Sequence, residues 1–151
     1  MIRNIFIATE HGASQHEVDS IQLKAGQGII GDRNFGKSDY PGQNLTLIEA
    51  EMIAEFNQNF SQQISLSDTR RNLITSDIRL NDLVGKEFQI GDVRLLGVEL
   101  CAPCAYLGEL LANKTICKKD VIKAFVHKGG LRVDVLTDGT IVQKMNLIEV
   151  E

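Results

Sequence analysis

The chain has 151 residues, a length suited to one domain and too short for an α/β barrel. Hydrophobic residues are 43% and charged residues 24%, proportions that argue against global disorder. Sixteen basic against 20 acidic residues give a net charge of −4; with no basic run and 5% aromatics, a surface for nucleic acid is not expected. The coarse pattern is mostly strand. Arg3–Ala8 is β-rich, and Val18–Leu23 reads as a second strand. Gly26, Gly28 and Gly31 then mark a turn-rich stretch that ends at Gly31-Asp32-Arg33-Asn34-Phe35-Gly36, and Tyr40-Pro41-Gly42 is a further turn. Leu45–Ile48 predicts a short strand. Glu49–Phe60 predicts a helix, with Met52, Ile53, Phe56 and Phe60 at helical spacing. Arg71–Thr75 predicts another strand and Leu80–Val84 a short apolar segment. Glu87–Ile90 and Val93–Leu100 flank Gly91-Asp92 as a hairpin. Ala105–Leu111 and Asp120–His127 predict helices, with Gly129-Gly130 ending the second. Leu131–Leu136 and Thr140–Val150 then predict closing strands around Asp138-Gly139, a second hairpin signal.

Many short strands with two or three helices predict a mainly β (α+β) fold, a closed or nearly closed β-barrel with helical insertions. Helices do not alternate regularly with strands, so a doubly wound parallel sheet fits less well. Residues 1–151 read as one domain. No apolar run is long enough to cross a bilayer, and the N-terminus carries no signal-peptide pattern. Three cysteines, an odd number, argue against a disulfide framework. The expectation is a cytoplasmic protein with reduced thiols and neither membrane nor nucleic acid as partner.

Three constellations offer chemistry. In Cys101-Ala102-Pro103-Cys104, two thiols separated by two residues suit a soft metal, a redox pair, or one reactive sulfur with a helper. Cys104 falls at the predicted start of a helix, where free N–H groups favour a thiolate. The plain alternative is two small buried side chains at a strand end. A zinc site would need Cys117 and one of His11, His16 and His127, and the usual second close-spaced ligand pair is missing. Those histidines otherwise fit surface or capping roles. Arg70-Arg71-Asn72 offers planar forks and amide donors suited to phosphate or carboxylate, or simply a charged edge strand. Gly28-Ile29-Ile30-Gly31-Asp32-Arg33 combines glycines with an Asp able to orient an Arg. It matches neither a phosphate loop nor a dinucleotide fingerprint.

In this order, Gly28–Arg33, Asn44–Ala50, Arg70–Leu73, Leu80–Lys86, Phe88–Gly91, Cys101–Leu107 and Gly130–Leu136 together resemble the MOSC domain. That module stands at the C-terminus of molybdenum cofactor sulfurases and alone in bacterial and archaeal proteins. The resemblance implies a barrel of the MOSC, pyruvate-kinase-barrel-like type. It implies binding of the molybdenum cofactor (molybdopterin), expected to be absent from isolated recombinant protein, or carriage of a persulfide sulfur towards a metal centre. By position, Cys104 would be the molybdenum ligand or reactive cysteine, with Cys101 as an additional thiol. Arg70, Arg71 and Asn72 would contact the pterin phosphate region, and Gly31, Asp32 and Arg33 would frame the pocket. Two places differ from the family's usual pattern: Asn34 stands where His often follows Gly-Asp-Arg, and Lys144-Met145-Asn146 where relatives turn through Gly-Asp. The implied activities are sulfurtransferase, non-catalytic cofactor carrier, or molybdenum-dependent reductase of N-hydroxylated compounds. The chain leaves no room for the desulfurase domain of larger relatives. A sulfur donor such as a cysteine desulfurase, or a molybdoenzyme, is therefore the expected partner.

Overall fold

Alternation of side chains along three central strands organises the molecule into two apolar layers. A computed structural model describes residues 1–150. In β1 (Ile2–Ile7), Ile5 enters one core and Phe6 the other. β5 (Leu45–Glu49) divides Leu45 and Leu47 from Ile48 in the same way, and β6 (Leu73–Thr75) divides Leu73 from Ile74. Strands covered on both faces carry adjacent apolar residues, hence Leu47-Ile48 and Leu73-Ile74 in the sequence.

The first core fills the interior of a curled eight-stranded sheet. The second lies between its other face and three helices, α1 (Ala50–Phe60), α2 (Ala105–Leu111) and α3 (Lys118–Ala124). There Ile53 and Phe56 of α1, Leu107 and Leu111 of α2, and Val121 with Phe125 cover Phe6, Ile48 and Ile74. The Phe56 and Phe125 rings stand 4.9 Å apart. β5 and β6 run parallel with α1 as their crossover, the length of connection that parallel pairing requires.

The remaining strands are β2 (His16–Glu17), β3 (Ser20–Lys24), β4 (Gly28–Ile29), β7 (Glu87–Ile90), β8 (Val93–Leu100), β9 (Leu131–Val135), β10 (Gly139–Val142) and β11 (Leu147–Glu149). The large sheet has the order β11-β7-β8-β9-β5-β6-β1-β2, and β10-β3-β4 forms a second, three-stranded sheet. A mainly β fold with short helices is thus present, but the large sheet is a strongly curled half-barrel that does not close on itself. Backbone hydrogen bonds tie the small sheet and its flanking turns to it: Gly26 N–H to Val135 O at 2.8 Å, and Ile2 N–H to Met145 O at 2.8 Å.

The hairpin expected around Asp138-Gly139 does not form. β9 pairs with β8 and β5, whereas β10 pairs with β3. Asp138 Oδ1 instead accepts the Ala25 N–H at 2.8 Å, so the carboxylate holds a turn of the small sheet while the chain crosses between sheets. The expected strand Thr140–Val150 is likewise split into β10 and β11. Lys144, with φ 75°, donates its N–H to Ile2 O and ends β10 against β1. α3 starts at Lys118 and ends at Ala124, so His127 lies beyond the helix in a left-handed turn and is exposed. The Gly91-Asp92 hairpin forms as expected.

Candidate functional site

Six stretches distant in sequence meet on the helix-bearing face of the large sheet. Thr46 of β5 and Arg132 of β9 are register partners, and alternation turns both away from the interior occupied by Leu45, Leu47, Leu131 and Val133. They line a cleft of about 350 Å³. His11 and Gly12 approach it from the turn after β1, Arg33 and Asn34 from the loop after β4, Thr69, Arg70 and Arg71 from the segment before β6, and Cys104, Tyr106, Leu107 and Leu110 from α2. A second hollow of about 240 Å³ shares His11, Asn34, Thr46 and Arg132 with it and adds Lys37, Tyr40, Gln43 and Asn72. Neither hollow is lined by a carboxylate, although the chain as a whole carries a net charge of −4.

The two thiols of Cys101-Ala102-Pro103-Cys104 separate. Cys101 is buried at the end of β8, and its N–H donates to Gly130 O at 2.8 Å. Burial pushes its thiol up, against the opposing charges of Arg71 and Arg132. Cys104 is exposed, lines the cleft and begins α2 as its N-cap residue. Pro103 lies between them, cannot continue the β8 pairing, and turns the chain out of the sheet.

Each arginine is held differently. Asp32, buried, accepts the Ala8 N–H and Arg33 Nη1 at Oδ1, both at 3.1 Å, and the Asn34 N–H at Oδ2 at 3.3 Å. Gly31 (φ 93°) makes the turn that brings this carboxylate to the end of β1; it is exposed and lines neither hollow. Arg33 passes its remaining Nη2 donor to the Arg70 carbonyl at 3.2 Å. Burial lowers the Arg33 guanidinium from its ordinary value; Asp32 opposes the shift and the charge of Arg70 adds to it. Arg71 donates from Nε to Gly129 O at 2.8 Å and from Nη1 to Thr69 O at 3.3 Å. Arg132 stands 3.8 Å from Glu99. No carboxylate lies within 4.0 Å of Arg70 or Arg71 among the described residues. Thr69 is buried, and its Oγ1 has no hydrogen-bond partner. A buried hydroxyl without a partner is costly unless something meets it.

Asn72 sits beside the site but is spent on the fold. Its Oδ1 accepts the Thr46 N–H and hydroxyl, and its Nδ2 donates to Phe6 O at 3.1 Å, joining β5, β6 and β1. It fixes the floor, with its amide oxygen and one amide donor already engaged. Cys104, Arg33, Arg70 and Arg71 therefore converge, Asp32 and Asn72 support them, and Cys101 and Gly31 lie outside the cleft. Thr46, Thr69, Tyr106, Leu110 and Arg132 are cleft residues that sequence reading missed. The alternation Leu131-Arg132-Val133 turns Arg132 away from the interior, and what it faces depends on register with Thr46.

No group of three or more His, Cys, Asp or Glu side chains is placed to hold a metal ion among the described residues, so Cys101, Cys104 and Cys117 do not assemble a zinc site. A larger hollow of about 480 Å³ lies between α1 and α3. It holds none of the predicted site residues, and the Glu55–Lys128 ion pair in its lining neutralises its charge. No helix is long and apolar enough to cross a membrane among the described residues.

The fold is shared with solved structures of low sequence identity. YuaD from Bacillus subtilis aligns with a TM-score of 0.82 at 18% identity, covering 98% of this chain and 93% of that one. YiiM from Geobacillus stearothermophilus aligns at 0.78 and 15% identity, covering 100% and 75%. YiiM from Escherichia coli aligns at 0.69 and 18% identity, covering 100% and 71%. No curated protein matches significantly by sequence. The MOSC domain family model matches residues 31–147, a span from the Asp32–Arg33 pair through the arginine and cysteine segments to β11. This chain is a member of the MOSC domain family.

Proposed function

We propose that the protein carries sulfur in molybdenum cofactor chemistry, with Cys104 as the working thiol. The observation that carries this reading is the sharing of one carboxylate-free cleft by an exposed cysteine and Arg33, Arg70, Arg71 and Arg132. A thiolate is both a soft-metal ligand and an atom able to bear a transferable sulfur. Guanidinium forks suit the phosphate of a pterin cofactor, and the unpartnered Thr69 hydroxyl supplies one more donor. The residues present fit the molybdenum cofactor: the cleft offers one thiol and several anion donors. A metal held there would take its remaining ligands from the cofactor itself, which would supply the redox and sulfur-accepting centre.

The chain's own part is positional. Arg70 and Arg71 hold the anionic group, Tyr106 and Leu110 wall the cleft, and Cys104 presents sulfur at the start of α2. Asp32 and Asn72 keep the surrounding loops in place. Sulfur would come from a separate donor and pass to a molybdoenzyme.

Expression in a host that makes the cofactor, followed by molybdenum analysis and intact-mass measurement, tests this. Wild type is expected to hold molybdenum or an additional sulfur on Cys104, and Cys104→Ser neither. Absence of both from wild type overturns the reading. Cofactor retained with neither sulfuration nor reduction of N-hydroxylated compounds above the Cys104→Ser level assigns a carrier without turnover.

A further inference from the structure

Arg70 carries a guanidinium with no hydrogen bond or ion-pair partner among the described residues, and Arg71 has no carboxylate near it. Two uncompensated cations beside one exposed thiol ask for a ligand with two negative charges. The cleft walls bring no carboxylate against this need: Arg33 and Arg132 are already paired with Asp32 and Glu99, which leaves Arg70 and Arg71 as the uncompensated charges, and buried Thr69 adds a hydroxyl that nothing else engages. Coulomb attraction between a guanidinium and an anion grows several-fold as water is excluded, and planar forks favour an oxyanion with two oxygens to offer. The apolar wall made by Leu107 and Leu110 adds nothing for a charged amine such as the zwitterion of free cysteine.

We propose that the sulfur donor to Cys104 is a small anionic sulfane compound of the thiosulfate class, its oxyanion end held by Arg70 and Arg71. This rests on the sulfur-carrier reading above and adds the identity of the donor. The Cys104 thiolate attacks the outer, sulfane sulfur. The S–S bond of thiosulfate breaks, and its electron pair leaves with sulfite. The new S–S bond makes Cys104 a persulfide, Cys–S–S⁻. Three negative charges enter and three leave, and no oxidant or reductant is consumed. The arginines stabilise sulfite as it departs, because the leaving group keeps its charge on the same oxygens they bind.

The test uses the full chain with thiosulfate as donor and cyanide as acceptor, reading thiocyanate. In parallel, inorganic polysulfide, which lacks an oxyanion end, is used to load the protein, and intact mass is recorded. Wild type is expected to turn over thiosulfate, Cys101→Ser to keep that activity, and Cys104→Ser to lose it; because Cys117 is also exposed, loading is read on a Cys117→Ser background, where adding Cys104→Ser abolishes loading by either donor. Arg70→Gln is expected to raise the KM for thiosulfate about tenfold, the loss of one charge-assisted contact, with a smaller change in kcat. Arg70→Lys is expected to fall between the two. Loading by polysulfide but not by thiosulfate overturns the donor assignment and leaves the carrier reading standing. Loading by neither overturns both. Turnover of thiosulfate with a KM indifferent to Arg70 overturns the arginine-held oxyanion.

Discussion

Arg33 donates from Nη2 to the main-chain carbonyl of Arg70 across 3.2 Å, linking positions 37 residues apart. Gln15 Nε2 donates to the same oxygen at 3.2 Å. Arg70 is held at φ 61°, a left-handed conformation that L side chains seldom adopt. The cost is met by tertiary contacts to its carbonyl, and its side chain is left without an internal partner. Strain of this kind gathers at functional sites. Arg70→Gly is expected to leave stability unchanged or raise it by up to about 1 kcal/mol, since glycine adopts this φ freely. Anion binding should weaken in the same variant. Urea denaturation alongside calorimetric titration with sulfate measures both, and a loss of stability together with intact binding would reverse the interpretation.

Asp32 and Arg33 form a buried pair, with side chains 1% and 9% exposed. Removing one partner strands the other charge away from water. Asp32→Asn is expected to cost about 3 kcal/mol in chemical denaturation. A cost below that of an exposed ion pair would place the Arg33 head group in solvent.

The two thiols should differ towards alkylation. Native protein treated with iodoacetamide should be modified at Cys104 and Cys117, both exposed, while Cys101 reacts after denaturation. Peptide mass mapping reads the sites. Modification of Cys101 at the Cys104 rate would contradict its burial at the end of β8.

Glu49 ends β5 as a buried carboxyl. Burial raises its pKa, the charges of Glu51 and Asp82 add to this, and the Leu80 N–H and Arg79 oppose it. A raised folded-state pKa means the native chain binds this proton more tightly than the unfolded chain. The associated stability is present below the ordinary carboxyl range and is lost as pH rises through the raised folded value. Glu49→Gln should flatten that part of the stability–pH profile, measured by denaturant melts across the acidic range. An unchanged slope would assign it to other carboxyls.

Two glycines with similar backbone angles should respond differently. A Cβ on Gly130 (φ 104°) would lie 2.0 Å from Leu47 O, whereas one on Gly31 (φ 93°) meets nothing within 4 Å. Gly130→Ala is expected to cost about 4 kcal/mol or more, or to prevent folding. Gly31→Ala should cost about 1 kcal/mol, from its backbone angle alone. Thermal melts of the two variants decide the ranking, and equal costs would mean the β5–β9 contact can relax.

The local elements were legible in the sequence because local rules determine them. The Leu45–Ile48 run, the Met52–Phe60 helical spacing and the Gly91-Asp92 turn depend on residues within a few positions of one another. The resemblance to the MOSC domain likewise rested on the order of short motifs. What the sequence left open depends on long-range pairing. Asp138-Gly139 has hairpin residues, yet β9 and β10 take partners in different sheets, and only the assembled fold selects between those pairings. The cleft shows the same division. Cys104 and Arg70 were readable as chemically capable types, but their convergence required Leu107 and Leu111 of α2 to join the apolar layer of Ile48 and Ile74. The roles of Arg132 and Thr46 required cross-strand register. Residue chemistry is carried by each position alone, whereas the distance between two residues far apart in the chain belongs to the packed core that brings them together.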